Sequence, residues 1–333
     1  MAMRLGKYLI LTTALILAAM PAARELSIFD GEKFSYVSER SGSRGEETTL
    51  LFVGDIMMSR AVEKSVINKR KGDFNFLFEK AGFIKEADLA FGNLEGPVSD
   101  KGKDIGNLYS FRMRPESLDA AKDAGFDAFS IANNHMADWG PEAFTDTVER
   151  LKEKGILFPG GGANRKEAVF PQVKKVNGLS IGFLAFSDKG PRWLEAGEEK
   201  PGILTVKEDF ADIVAKSAEK TDVLIVSFHF GEEYESKHNS RQEFLARSAI
   251  DNGAKIVIGH HPHVIQDTEF YKDGFIAYSL GNFIFDQTFS EETMTGMALH
   301  ITLNSSGAIK FAKQTEIKIN RDFQPELEPG GSE

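Results

Sequence analysis

The 333-residue sequence predicts a layered α/β fold. From Thr48 onward short apolar runs alternate with helical patterns, and most apolar runs are followed at once by an acid, an amide or a histidine. Hydrophobic residues make up 41% of the chain, enough for a sizeable core. Ligands of α/β sheets bind at the carboxyl ends of strands, where loops converge, so the same pattern forecasts a site.

Each element follows from its own signals. Thr49 to Val53 reads as a buried strand and Ser59 to Lys71 as the helix after it. Asp88 to Gly92 is a second strand. Pro115 to Ala124 is a helix with Pro at its start and Gly125 past its end, and Phe126 to Ile131 is the next strand. Pro141 to Lys154 repeats the helix. Val173 to Val176 and Leu179 to Phe186 flank Asn177-Gly178, a hairpin signal that introduces antiparallel pairing. Val223 to Phe228 and Lys255 to Ile258 are buried strands separated by a helix over Ser240 to Asn252. Phe270 to Leu280, turning at Asp273-Gly274, and Met297 to Phe311 supply further hairpin-like strands. Gly160-Gly161-Gly162 lacks the Lys-Ser/Thr of a phosphate-binding loop and reads as a plain turn.

With 40 Lys and Arg against 50 Asp and Glu, the net charge is −10 and no long basic stretch compensates, which argues against a nucleic-acid partner. Cysteine is absent, so any metal must be held by His, Asp, Glu or Asn. Arg4 and Lys7 precede the 13-residue run Tyr8 to Met20, mostly Leu, Ile and Ala, and Pro21-Ala22-Ala23 follows. This is the layout of a cleaved signal peptide or a retained N-terminal anchor over residues 1–23. Residues 24–47 read as a tether. The folded body is expected over residues 48–322, outside the cytoplasm in the periplasm or at the cell surface, with residues 323–333 as a flexible tail.

Five of the seven histidines follow apolar runs: His135, His229, His260, His261 and His263. Together with Asp55 and Glu95 they form an oxygen and nitrogen donor set suited to Zn, Mn or Fe. The residue before Pro262 is biased toward extended geometry, so His261 and His263 are expected on one side of an extended segment, with His260 facing away. Glu232, Glu233 and Glu235, close behind His229, are placed either to reach a metal or in a solvated loop, and the loop is the commoner outcome; His238 and His300 read as ordinary surface or sheet residues.

The ordered set Gly54-Asp55-Ile56-Met57-Met58-Ser59-Arg60, Asn93-Leu94-Glu95-Gly96, Ala132-Asn133-Asn134-His135 with Asp138 and Gly140, His229-Phe230-Gly231-Glu232-Glu233-Tyr234, Gly259-His260-His261-Pro262-His263-Val264-Ile265-Gln266 and Ser279-Leu280-Gly281-Asn282-Phe283 resembles the bacterial capsule-synthesis proteins of the CapA, poly-γ-glutamate type. That family is a branch of the calcineurin-like metallophosphoesterases, and the resemblance covers roughly residues 48 to 285.

The resemblance implies a four-layer αββα sandwich of two mixed sheets, with one or two divalent ions at the carboxyl ends of the strands. Asp55, Asn134, His229, His261 and His263 match the family's ligand positions. Two places depart: Met57 stands where the first motif has His, and Asn93 stands where a bridging Asp is expected, with Glu95 two residues on able to supply the missing charge. In a catalytic site of this kind His135 protonates the leaving oxygen, Asp138 orients its imidazole or caps the following helix, and Arg60 and Arg112 clamp an anionic substrate. The implied function is capsule or poly-γ-glutamate biosynthesis outside the cytoplasm. One version hydrolyses a phosphoester or a linkage of an anionic envelope polymer. The other is a non-catalytic, metal- or anion-binding part of a membrane polymer-synthesis or export complex.

Overall fold

In the computed structural model, which describes residues 47–328, Leu50 and Phe52 of β1 (Thr48–Ile56) face one way and Leu51 and Val53 the other. That alternation is what a strand buried on both faces requires. The chain continues through α1 (Arg60–Arg70), β2 (Leu89–Leu94), α2 (Pro115–Ala124), β3 (Ala128–Ser130), α3 (Gly140–Glu153), β4 (Gly161–Gly162), α4 (Arg165–Ala168), β5 (Gln172–Val176), β6 (Leu179–Ser187), β7 (Gly202–Ile203) and α5 (Phe210–Ala218). It is completed by β8 (Val223–His229), α6 (Ser240–Asp251), β9 (Ile256–His260), β10 (Thr268–Tyr271), β11 (Gly274–Ala277), β12 (Asn282–Ile284), β13 (Thr295–Leu303), β14 (Ile309–Ile319) and β15 (Pro325–Leu327).

Among the described residues two large mixed sheets form, beside the two-stranded β4–β7 pair. One runs β15-β14-β13-β1-β2-β3, with β12 also paired to β1, and the other runs β10-β11-β9-β8-β6-β5. In the first, β1, β2 and β3 are parallel; in the second, β6, β8 and β9 are parallel. Antiparallel hairpins flank both sets, including the β5–β6 pair turning at Asn177-Gly178, where both residues have positive φ as a two-residue hairpin turn demands.

Three apolar clusters define four layers. One lies between the sheets, where Phe91 stacks on Phe183 at 5.4 Å. A second joins the outer face of the first sheet to α2 and α3, and a third joins the outer face of the second sheet to α5 and α6. The expected αββα sandwich is the architecture observed. Helix α6 opens with a capping box, Asn239 and Gln242 each satisfying the other's backbone N–H, which fixes where the chain turns back from the loop after β8.

Several expectations are corrected. The body does not stop at residue 322: Pro325–Leu327 pair with β14, and the buried Gln324 side chain donates to the Phe76 carbonyl, so the first part of the expected tail is structural. Gly161-Gly162 is a short strand paired antiparallel with β7 rather than a plain turn. Helix α5 carries no sequence punctuation strong enough to have been singled out. The expected leader over 1–23 and tether residues 24–46 lie outside the described residues.

Candidate metal centre

Strand register brings the polar strand ends together. Asp55 pairs with Asn93 of β2 and with Asn282 of β12, and Asn93 in turn pairs with Ser130 of β3. In the other sheet His229 pairs with His260. A Cβ on Gly54 would sit 1.9 Å from the Gly281 carbonyl oxygen, so glycine there permits the β1–β12 approach that sets Asp55 beside Asn282.

The two buried carboxylates are held by an amide. Asn93 Nδ2 donates to Asp55 Oδ1 at 2.8 Å and to Glu95 Oε2 at 3.1 Å, while its Oδ1 accepts from Asn133 Nδ2 at 3.1 Å. Asn93, expected as a ligand, is therefore a clamp between two acids, its own oxygen already engaged. His260 is not turned away, as expected, but sits with Nδ1 3.3 Å from Asp55 Oδ1. His263 Nδ1 lies 2.9 Å from Asn282 Oδ1 and 3.2 Å from Asp55 Oδ2, and its Nε2 lies 3.5 Å from Glu95 Oε1. His229 Nε2 donates to Asn134 Oδ1 at 2.8 Å.

The histidine segment is not extended. His261 and His263 have φ of +100° and +59°, left-handed values that cost about 1–3 kcal/mol each in a non-glycine residue. Tertiary contacts hold them there: Tyr234 N–H donates to the Pro262 carbonyl at 2.8 Å, and His261 N–H points at Asp55 Oδ2 at 3.4 Å. These contacts override the local bias of an X-Pro step and set the His263 ring beside Asp55 and Glu95 and the His261 ring near Glu233.

Charge is frustrated in this dry cluster. Burial would raise Asp55, but hydrogen bonds from His260 and His263 hold it well below the usual carboxylate range. Burial and the Asp55 charge push Glu95 well up. Burial and the neighbouring His261 push His229 well down, and burial with the His263 charge lowers His261 to about 3. Burial opposes the charged form of His263, yet Glu95 and Asp55 outweigh it and raise it to about 9.

These residues fit a divalent cation. Glu95 Oε1, His229 Nδ1 and His261 Nδ1 are buried with no hydrogen-bond partner, a costly state unless a cation answers it. One group of donors within 4.8 Å of one another is Asp55, Glu95 and His229; another is Glu233, His261 and His263. Glu233, expected in a solvated loop, thus borders the centre. Its place close behind His229 is the sequence signal for the less common of its two readings, and nothing in the sequence separates it from Glu232 and Glu235. Met57, in contrast, turns its sulfur to Ser59, whose Oγ–H and N–H donate to it at 2.9 and 3.3 Å, and packs in the apolar cluster of α2 and α3.

His135 stands at the cluster's solvent side. Its Nδ1 is 2.8 Å from Asp138 Oδ2 and its Nε2 is 4.0 Å from Glu95 Oε1. Asp138 does not cap α3, whose N-cap is Trp139. Instead it also accepts from Asn107 Nδ2 at 2.8 Å and Phe111 N–H at 2.9 Å. A cleft of 160 Å³ opens here, lined by His135, His263, Glu233, Arg60, Tyr109 and Tyr234 among others. Arg60 is held by Asp286 at 3.2 Å, with its guanidinium 5.3 Å from the Phe111 ring. Arg112 is elsewhere: it stacks at 3.5 Å on Trp139 and lines a separate cleft with Glu63 and Arg114, so the expected pair of arginines reduces to Arg60.

Two packed mixed sheets whose parallel strands end in a carboxylate, amide and imidazole cluster define the class: an α/β sandwich with a metal-type donor centre at the strand ends. The chain belongs to the bacterial capsule synthesis protein PGA_cap family, whose model matches residues 49–287. It is 38% identical over 255 residues to the capsule biosynthesis protein CapA of Bacillus anthracis, covering 73% of this chain and 61% of that protein, so it spans less than two thirds of that relative's length. It is 33% identical over 261 residues to the PGA biosynthesis protein CapA of Bacillus subtilis, covering 77% and 68%. Among solved structures, it is similar to the NAD nucleotidase of Haemophilus influenzae with a TM-score of 0.47 at 13% identity, over 86% of this chain and 60% of that one.

Proposed function

We propose that this protein is an exported component of capsule or poly-γ-glutamate biosynthesis whose centre performs divalent-metal-dependent hydrolysis of a phosphoester or of a linkage in an anionic envelope polymer. The single observation that carries the reading is a buried set of unpartnered donors, Glu95 Oε1, His229 Nδ1 and His261 Nδ1, next to a cleft edged by His135. The biological setting rests on the family and on the names of the two CapA relatives. Export rests on the N-terminal Arg4/Lys7 and Tyr8–Met20 layout; among the described residues no helix is long and apolar enough to cross a membrane.

Asp55, Glu95, His229, His261 and His263 would hold the ion, of Mn, Zn or Fe type, which would supply Lewis acidity and an activated water, while Asn134 Oδ1 orients His229. The remaining steps belong to the chain. Arg60, fixed by Asp286 and the faces of Phe111 and Tyr109, pairs with an anionic group of the substrate in the cleft. Asp138 accepts the Nδ1 proton of His135, which fixes the tautomer and turns Nε2 toward the cleft. As the imidazolium, His135 would give its Nε2 proton to the leaving atom and return to the neutral Nδ1–H form that Asp138 holds. The aromatic rim formed by Tyr109, Tyr234 and Phe289 keeps bulk water from the seated substrate.

Purified protein should contain a divalent metal and hydrolyse a phosphodiester or poly-γ-glutamate. His135→Ala should lower turnover by roughly 10²–10⁴ with metal content unchanged. The second reading, a non-catalytic metal- or anion-binding part of a membrane polymer-synthesis complex, is favoured by Met57 and Asn93, which stand where the wider superfamily has ligands. Metal binding with no hydrolysis of either substrate, and no effect of His135→Ala, would select it.

A further inference from the structure

We propose that Asp286 is a substrate-binding residue that, beside Arg60, selects units carrying an N–H donor next to their carboxylate, the chemistry of a γ-linked glutamyl chain; the inference rests on the cleft being the substrate site proposed above. Asp286 lines the 160 Å³ cleft together with Arg60, His135 and His263. Its side chain is only 4% exposed. Oδ2 is engaged, accepting from Ala61 N–H at 3.1 Å and lying 3.2 Å from Arg60 Nε. Oδ1 is buried and has no hydrogen-bond partner. A buried carboxylate oxygen left unpaired is costly, and a donor on a ligand in the cleft would satisfy it.

Local structure brings both groups to the cleft. Asp286 lies two residues beyond the end of β12, the strand that runs beside β1. Phe285 packs its ring 4.8 Å from that of His263 and 5.7 Å from that of Phe111, which seats the segment against the centre. Gln287, next in the chain, accepts from Asn282 Nδ2 at 2.9 Å and donates to the Tyr234 hydroxyl at 3.3 Å, so the loop is tied on two sides. Arg60 opens α1 with a φ of +57°, a left-handed value unfavourable for a long side chain. Asp286 holds that start through both Ala61 N–H and the Arg60 side chain, and the guanidinium rests 5.3 and 6.0 Å from the rings of Phe111 and Tyr109.

The pair has one cation and one anion. A bare anion drawn to Arg60 would meet the unpaired Asp286 oxygen beside it and be repelled. A group with a donor next to its charge answers both side chains, its carboxylate on Arg60 and its N–H on Asp286 Oδ1. In a γ-linked glutamyl chain each α-carbon carries a free carboxylate and the nitrogen of an amide N–H, so one unit of polymer can engage both. A phosphodiester without such a donor would leave Oδ1 buried and unpaired. Of the two linkages in the proposed function, this pair therefore favours the glutamyl one.

The test is isothermal titration of the full chain with three ligands: a γ-linked glutamyl oligomer, the same oligomer methylated at its amide nitrogens, and polyacrylate, which carries carboxylates and no N–H. The unmodified protein should bind the first at least about tenfold more tightly than either ligand without a donor. Asp286→Asn should keep an acceptor for Ala61 N–H and present an NH₂ group in place of Oδ1. It should lose about tenfold toward the γ-glutamyl oligomer and bind the other two as well as before or better, erasing the preference. Equal weakening toward all three ligands would show a merely structural residue and overturn the assignment, as would a preference that survives in Asp286→Asn. Equal binding of the three ligands by the unmodified protein would overturn it without recourse to any variant. Failure of the hydrolytic reading is distinguishable, because turnover would then be absent while the preference for the γ-glutamyl oligomer remained.

Discussion

At Met57 the sulfur accepts from Ser59, and the side chain lies within an apolar cluster. A histidine placed there would exchange a packed thioether for a polar ring with no matching partner. Met57→His should therefore cost about 1–3 kcal/mol in a urea titration and add no metal. A rise in Mn²⁺ stoichiometry in that variant would show instead that the position opens onto the centre. Asp138 offers the complementary case, because it is buried and accepts from His135, Asn107 and Phe111 together. Asp138→Asn keeps the shape but replaces one acceptor oxygen by a donor. Hydrolysis should fall while Mn²⁺ affinity stays unchanged, measured side by side on one preparation.

At the level of elements, the centre depends on strands being drawn closer than side chains normally allow. Gly54→Ala would place a Cβ 1.9 Å from the Gly281 oxygen, parting β1 from β12 and moving Asp55 from Asn282. The expected loss is on the order of 3 kcal/mol or more, read as a lower urea midpoint together with weaker Mn²⁺ binding. Helix α3 is seated by a different device. Burial would raise Asp146, but hydrogen bonds from Lys101, Ser99 and Arg150 outweigh it and hold the carboxyl below its ordinary value. A depressed folded pKa means that this stabilisation is present above the ordinary carboxylate value and is lost as pH falls through the folded one. Asp146→Asn should thus be less stable than the unmodified protein at pH 7, by about 1–3 kcal/mol. The gap in melting temperature should close as pH drops below about 4. A gap independent of pH would contradict the ionic account.

Across the whole molecule, two sheets supply opposite halves of one centre: Asp55 comes from β1 and Glu95 directly follows β2, while His229 and His260 come from β8 and β9. An ion gripping both halves should stabilise the sandwich. At a Mn²⁺ concentration 100-fold above the dissociation constant, the added stability is about 2.7 kcal/mol, visible as a higher melting temperature that a chelator reverses. No shift on adding Mn²⁺, Zn²⁺ or Fe²⁺ would remove the metal from the proposed function.

The sequence by itself determined the layers and the neighbourhood of the centre. Continuous apolar runs such as Leu50 to Val53, the helix bounded by Pro115 and Gly125, and the Asn177-Gly178 turn are local signals, and the structure has a strand, a helix and a hairpin turn at these places. Asp55, Glu95 and His229 were legible because a polar residue closing a buried strand has few other reasons to be there. The tertiary structure decided the rest. Register turned His260 toward Asp55, packing against Tyr234 forced His261 and His263 into left-handed backbone, and the same stitch carried Glu233 to the imidazoles. Asn93 became a clamp only because Asp55, Glu95 and Asn133 surround it, and Arg112 left the site because Trp139 lies under it. Most of these contacts join residues 27 to more than 200 positions apart. Propensity and spacing act over a few residues, so they name the groups at each strand end, whereas the packing of the two sheets determines which of those groups meet.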